Sequence, residues 1–469
     1  MLFTELRFAW FFALVFVGYW LLPGNRSRKA LLLLASYYFY GSWDWRFLSL
    51  ILLSTATDYV VGLRLHSADQ QHSRRNWLTV SLIVNLGLLA VFKYFNFFAE
   101  NAVLLGNRLG LSLDPVFLEI ILPVGISFYT FQTMSYTIDI YRRQLEPTRN
   151  ILDFSLFVAF FPQLVAGPIV RARDFIHQLS AGPRFSNIDF RWALTLFLIG
   201  FIKKACVADN LATFVDPFFA APMDYGTLQS WLGVAAYTAQ IYCDFSGYSD
   251  MAIATAGMFG YRLRDNFHAP YIATSVTDFW RRWHISLSTW LRDYLYISLG
   301  GNRISAGRTY VNLLLTMLLG GLWHGAAWNF VIWGALQGTA LVMHRLYNQL
   351  APDKLRLPDG LGMAVTLIFV MLVWVPFRAP DTATTLVIWS QLLTLSPGTP
   401  DSIIALNQTL LTGALAGLWL MHFLHGKNLT YDLWRHCPTT VFAIGYGACF
   451  ALALAARSTA VTPFIYFQF

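Results

Sequence analysis

Two histidines forty positions apart, His284 and His324, are the residues of this chain best suited to chemistry. Each sits in a run dominated by aromatic and aliphatic residues. Imidazole titrates near neutral pH, so it can take up or release a proton under physiological conditions. Placing such a group at depth in apolar surroundings is costly, and an ionisable residue there is a functional-site hypothesis by default. Both belong to one stretch, Asp278 to Asn329, which opens DFWRRWHISLSTWLRDYLYISLGGNR and closes LLGGLWHGAAWNF. A buried histidine hydrogen-bonded to a neighbouring helix is the plainer reading of either residue alone. Finding two, one on an arginine-rich stripe and one among glycines, brings the two readings level.

The chemistry that suits the pair is acyl transfer from a thioester to a hydroxyl. That reaction needs a base for the hydroxyl proton and donors for the developing oxyanion. His324, shielded and followed by Gly325, suits the base. His284, three residues after Arg281, suits donor positioning or polarisation of the carbonyl. Trp280 and Trp323 are expected to wall the pocket, and Asn329 to orient His324. Arg281, Arg282 and Arg292 offer guanidinium groups for the phosphates of a nucleotide-bearing donor. Their alternative role is to mark a cytoplasmic face. No Walker-type or GxGxxG loop accompanies them, which argues against a nucleotide-binding fold.

Spacing suggests how these residues are carried. Asp278, Arg281, His284, Ser288 and Arg292 fall close to one stripe of a helix, with Trp280, Trp283, Leu287 and Tyr294 on the neighbouring stripe. An amphipathic helix at the membrane interface is expected, holding His284 on its polar edge. From Val311 to Leu322 the chain is apolar apart from Asn312 and Thr316. Gly320 and Gly321 then remove bulk before Trp323, so that another backbone or a ligand can approach.

WRRWHISLSTWLRDYLYISLGGNR followed by GLWHGAAWNF resembles the signature of membrane-bound O-acyltransferases, in the bacterial branch that O-acetylates exopolysaccharides of alginate and cellulose type. Leu122–Arg142 (LPVGISFYTFQTMSYTIDIYR), Phe160–Arg171 (FFPQLVAGPIVR), Gln240–Phe267 (QIYCDFSGYSDMAIATAGMFGYRLRDNF) and the ending PFIYFQF resemble that branch as well. The resemblance implies that acetyl groups come from cytosolic acetyl-CoA and cross the membrane, with no permanently bound cofactor. It implies that His324 is the catalytic histidine and His284 its partner. It further implies a periplasmic or membrane-anchored SGNH-hydrolase-like acetyltransferase as partner and an exopolysaccharide synthesis and export complex, all at the bacterial inner membrane. The signature is similar, too, to the D-alanine transfer proteins of teichoic acids, whose donor is a carrier-protein thioester. A transporter with broken helices is the alternative from another class, and the lack of an inverted repeat weighs against it.

Composition agrees with a membrane setting. The chain has 469 residues, 56% hydrophobic and 12% charged, about half the charged share of a soluble domain. Many apolar runs approach the ~20 residues that span a bilayer. Backbone groups in lipid must be satisfied internally, and no alternating barrel pattern is present, so helices are expected. The reading is all-α, one multi-pass domain over residues 1–469, with roughly a dozen transmembrane and re-entrant helices around a central cavity. The net charge of +8 comes largely from loop arginines and calls for no nucleic acid.

The supporting elements follow in order. Leu6–Leu22 is a retained helix rather than a signal peptide. Basic loops around Arg26–Lys29 and Arg64–Arg75 place the N-terminus in the periplasm. Asp58 reads as a carboxylate hydrogen-bonded between helices. Phe117–Ile140 is expected to kink at Pro123 and Gly125, and Phe154–Val170 is too interrupted for a clean span. Lys203 and Lys204 read as a solvated pair or a phosphate contact. Asp244 and Asp250 read as helix caps, and FIYFQF as an interfacial ending. The histidines other than the central pair are taken as solvated or capping. His422 and His425 lack a third ligand, so no metal is expected. The four cysteines form no CxxC pair and read as small core residues.

Overall fold

The computed structural model describes all residues except 115–116, 119–120, 166, 353–355, 396–401, 427–434, 460–463 and 466–469; the side chains of 402–410, 423, 425 and 426 also lie outside the description. The described secondary structure is entirely helical. Four helical segments are long and apolar enough to cross a membrane: Asn25–Ser67, Gln71–Arg108, Asp359–Arg378 and Thr439–Ala456. Leu6–Leu21, Thr382–Leu393 and Leu411–His422 are shorter apolar helices. The chain divides into two compact units. The first is Met1–Phe190 with Thr255–Arg264, and the second is Arg191–Ala254 with Asp265–Phe469.

In the first unit, helix Ile126–Tyr141 is buried along nearly its whole length and packs against helices Leu48–Ser67 and Gln71–Leu89. With no water to satisfy polar groups there, they must satisfy each other. Asp58 Oδ1 accepts from Ser81 Oγ at 2.6 Å and Oδ2 from Asn85 Nδ2 at 2.8 Å, while Ser54 Oγ donates to Asn85 Oδ1 at 2.8 Å. Asp58 is therefore an interhelical hydrogen-bond acceptor, as its sequence setting indicates.

The expected kink near Pro123 is instead a helix start. Gly125 has φ 73° and precedes Ile126, and a Cβ there would lie 2.7 Å from the Leu164 carbonyl. The stretch 154–170 is interrupted as expected, with helix Ile151–Ala159 ending before the short helix Phe161–Leu164. Two residues expected in basic loops, Lys29 and Arg74, are instead helical and buried. Lys29 pairs with Asp153. Arg74 donates to the carbonyls of Leu65, Ile140 (2.9 Å) and Tyr141 (3.0 Å), closing the ends of two helices.

In the second unit, the polar run Cys243–Asp250 does not separate two helices. It lies inside the single helix Thr227–Met258. Asp244 and Asp250 are therefore not caps. They face the π-helical segment Ile202–Ala208, where Lys203 Nζ lies 2.7 Å from Asp250, and Lys204 pairs with Asp244 and, at 2.8 Å, with Asp209. Lys203 and Lys204 are thus buried ion-pair partners rather than solvated. The two helices meet at glycine: a Cβ on Gly200 would lie 2.5 Å from the Gly247 carbonyl.

The ending is placed differently from its interfacial reading. Phe464 and Ile465 are buried, the Phe464 ring is 5.6 Å from Phe245, and the Ile465 N–H donates to Asp244 Oδ2 at 2.8 Å. The rest of FIYFQF lies outside the described residues. His422 is not solvated. It is buried, stacked on Tyr271 and 4.5 Å from the Tyr242 ring. The side chain of His425 lies outside the described residues.

Candidate active site

Helix Ala306–His324 ends on its histidine and turns at Gly325 into helix Trp328–Leu350. Glycine decides how closely this hairpin packs. A Cβ on Gly321 would lie 2.2 Å from the Phe330 carbonyl, and one on Gly334 would lie 2.4 Å from the Met317 carbonyl. Backbone thus meets backbone at both positions, so Gly321 admits the partner helix and not a ligand. A Cβ on Gly325 would lie 2.0 Å from the Phe330 ring.

The other histidine is carried differently from its helical-wheel reading. Residues 278–292 are not one helix. Helix Val276–Arg282 stops, and helix Ile285–Trp290 begins after His284, which has φ 42° and ψ 54°. The stripe linking Asp278, Arg281, His284, Ser288 and Arg292 therefore does not exist, and His284 is fully buried instead of facing water. A left-handed residue other than glycine costs about 1–3 kcal/mol and persists only where its surroundings impose it. Here Asn266 imposes it. Its carbonyl accepts from Ile285 N at 2.8 Å, and its Oδ1 accepts from Ser286 Oγ at 2.9 Å and Ser286 N at 3.3 Å. Its Nδ2 donates to Ser249 Oγ at 3.1 Å. The sequence reading missed Asn266, which lies among arginines and looks like a loop residue.

The break turns His284 toward His324. The two ring centroids are 6.5 Å apart, a separation that lets one oxygen lie within ~3 Å of a nitrogen on each ring. The joint lies outside the four candidate spans. Burial lowers the His284 pKa to about 3, which favours the neutral ring at physiological pH.

Aromatic rings enclose the pair. Trp323 lies 6.2 Å from His284 and 5.0 Å from His324. Trp280 is one ring removed. It packs edge-on against Trp333 at 5.8 Å, which in turn lies 5.1 Å from His324, and its Nε1 donates to Gln337 Oε1 at 3.1 Å. Phe245 is 4.6 Å from His284, and Phe377 is 5.2 Å from His324. Trp333, Trp374 and Phe377 went unread in the sequence because nothing local in it ties them to either histidine.

The remaining candidates are spread out. Asn329 does not orient His324. Its Nδ2 donates to the Ala379 carbonyl at 2.8 Å, and its Oδ1 accepts from Thr382 Oγ1 at 3.0 Å, so it fastens the start of its helix to the segment after Arg378. Arg282 pairs with Asp278 at 2.9 Å, and the exposed Arg292 pairs with Asp293 at 2.7 Å. Arg281 is exposed and lines a cavity with His344 and Arg345.

A family model for the membrane-bound O-acyltransferase family matches residues 32–374. The chain is 48% identical over 385 residues to the probable alginate O-acetylase of Azotobacter vinelandii, covering 81% of this chain and 76% of that protein. It is 44% identical over 427 residues to the probable alginate O-acetylase of Pseudomonas aeruginosa, covering 90% and 80%. It is 39% identical over 398 residues to the peptidoglycan O-acetyltransferase of Helicobacter pylori, covering 78% and 74%.

Proposed function

Because the chain belongs to the membrane-bound O-acyltransferase family, in its exopolysaccharide O-acetyltransferase branch, and is an O-acyltransferase, we propose that it moves acetyl groups from cytosolic acetyl-CoA across the bacterial inner membrane for O-acetylation of an alginate- or cellulose-type exopolysaccharide. Residues 1–469 act as one multi-pass domain in this reading, with shorter helices adding passes to the four long ones. The observation that carries it is the pair of buried imidazoles 6.5 Å apart inside an aromatic enclosure. The similarity to alginate O-acetylases supports the choice of acceptor. An SGNH-hydrolase-like acetyltransferase receives the group, and the polysaccharide synthesis and export complex supplies the acceptor chain.

The step balances with this chain's own residues. His324 takes the hydroxyl proton as the acceptor oxygen attacks the thioester carbonyl. A neutral N–H of His284 donates to the oxyanion that forms. The C–S bond then breaks, and the departing sulfur takes the proton from His324. Trp323 and Trp333 keep water from the thioester.

The test uses purified protein in nanodiscs with acetyl-labelled acetyl-CoA. Release of free CoA that depends on a hydroxyl acceptor supports the reading. If labelled acetyl-CoA is recovered intact while carrier-protein thioesters are cleaved, the donor is wrong. If no thioester is cleaved, the enzyme reading of this site fails.

Asn266 supplies a second prediction. Asn266→Ala frees the joint at His284, and a displacement near 1 Å costs about 10²-fold in rate. The fall is expected in kcat, with the donor KM unchanged and His324 chemistry otherwise intact. An unchanged kcat in a folded variant would mean that the joint does not position His284.

A further inference from the structure

Two neighbouring cavities in the second unit are not used by the chemistry above. One, of about 570 Å³, runs between helices Trp328–Leu350 and Asp359–Arg378. Leu336, Ala340, Met343, Val365 and Phe369 make it largely apolar. The other, of about 520 Å³, is lined by Arg281, Arg345 and other polar side chains together with Leu313 and Leu341. Ser275, His344 and Asn348 line both, so the two are contiguous.

The charges favour an anion at the polar end. Arg281 and Arg345 bear on that cavity, and its one carboxylate, Asp278, is engaged by Arg282 at 2.9 Å. His344 is held by Thr277 Oγ1 at 2.9 Å. Arg356 and Asp359 also line the apolar cavity. The apolar cavity opens along a helix of membrane-spanning length whose Leu361, Val365 and Ile368 are about half exposed. A guanidinium pair next to an apolar slot on a half-exposed helix of membrane-spanning length matches one kind of molecule, an acyl chain bearing a phosphate. A soluble nucleotide would satisfy the arginines but would leave the slot unfilled.

We propose that these cavities form a binding site for an anionic membrane phospholipid, with the phosphate between Arg281 and Arg345 and one acyl chain between helices Trp328–Leu350 and Asp359–Arg378. The site abuts the catalytic region. Ser275, on the shared wall, caps helix Val276–Arg282 by accepting from Asp278 N at 3.2 Å, and that helix carries Trp280 and leads into His284. A lipid seated there stiffens the element that positions the histidine.

Native mass spectrometry of the purified full chain tests this with phosphatidylglycerol and phosphatidylcholine of identical acyl chains. The wild type is expected to retain one phosphatidylglycerol and to prefer it by about fivefold or more, the worth of one arginine facing a headgroup of net negative charge rather than a zwitterionic one. Arg345→Gln should cut the preference by about fivefold while still holding either lipid. Ala340→Trp, which fills the slot, should hold neither. Circular dichroism and thermal unfolding establish that both variants are folded, and Thr339→Phe serves as a second slot-filling variant. Equal retention of the two lipids by the wild type would overturn the proposal. So would displacement of phosphatidylglycerol by added CoA or inorganic phosphate, because the slot would then belong to a soluble phosphate. Binding is read without turnover, so this result and the acyl-transfer assay fail or succeed separately.

Discussion

His324→Ala is expected to lower acetyl transfer by about 10²–10⁴-fold, the range for loss of a general base, with the protein still present in the membrane at normal amount. The measurement is the O-acetyl content of exopolysaccharide from cells carrying the variant, with protein level followed by blot. The imidazole lies among Trp323, Trp333 and Phe377 at ring distances of 5.0 to 5.2 Å. Removing it therefore also opens a small cavity, and the comparison with His324→Gln separates the two effects. Glutamine restores much of the volume and cannot act as the base, so it should be as inactive as alanine while unfolding nearer the wild-type temperature. His284→Ala, which would remove the proposed donor to the oxyanion, should cost about 10²–10³-fold. Persistent acetylation in His324→Ala would make His324 a packing residue and move the search for the base to His284.

Lys204→Met is expected to destabilise the protein by about 3–5 kcal/mol, because it leaves buried carboxylates without their counter-charge. Lys204 reaches both Asp244 and Asp209, and its side chain is 2% exposed. That loss is a large part of a typical stability of about 5–15 kcal/mol. It should show as a lower unfolding temperature in detergent and less protein in the membrane. Asp244 adjoins Phe245, which packs 4.6 Å from His284, and accepts from the Ile465 N–H. Surviving Lys204→Met protein should therefore also lose activity. Lys203→Met is the control. Its partner Asp250 is 18% exposed, so water relieves part of the loss and the fall should be smaller. Equal, small effects from both substitutions would show that the pairs do not hold this region together.

Much of the site was legible because it is written locally. WRRWH places His284 beside Trp283, GLWHGAAWNF places His324 between Trp323 and Gly325, and the resemblance of these motifs to one enzyme family rests on their order in the chain. Asp58 was legible for a similar reason, since a carboxylate inside an apolar run has few ways to be satisfied. Periodicity misled at 278–292. Hydrophobic spacing near 3.6 persists across a break when the break needs only one residue in the left-handed region, and histidine tolerates that region better than most side chains. The helical wheel therefore continued through His284, while the actual chain turns there. Asp244 and Asp250 misled in the opposite sense. They looked like caps because their lysine partners lie forty or more positions away.

The sequence by itself determined the helical, membrane-embedded character, the two histidines and the family. Each of these depends on composition or on residues within one segment. Only the tertiary structure decided that the imidazoles face each other, that Asn266 holds the joint, that Phe464 and Ile465 pack into the core of the second unit, and that Asn329 serves a helix start. These depend on contacts between segments far apart in the chain, set by how glycine seams let helices approach and by which buried charges must find a partner. Neither condition leaves a periodic trace in the residues that satisfy it.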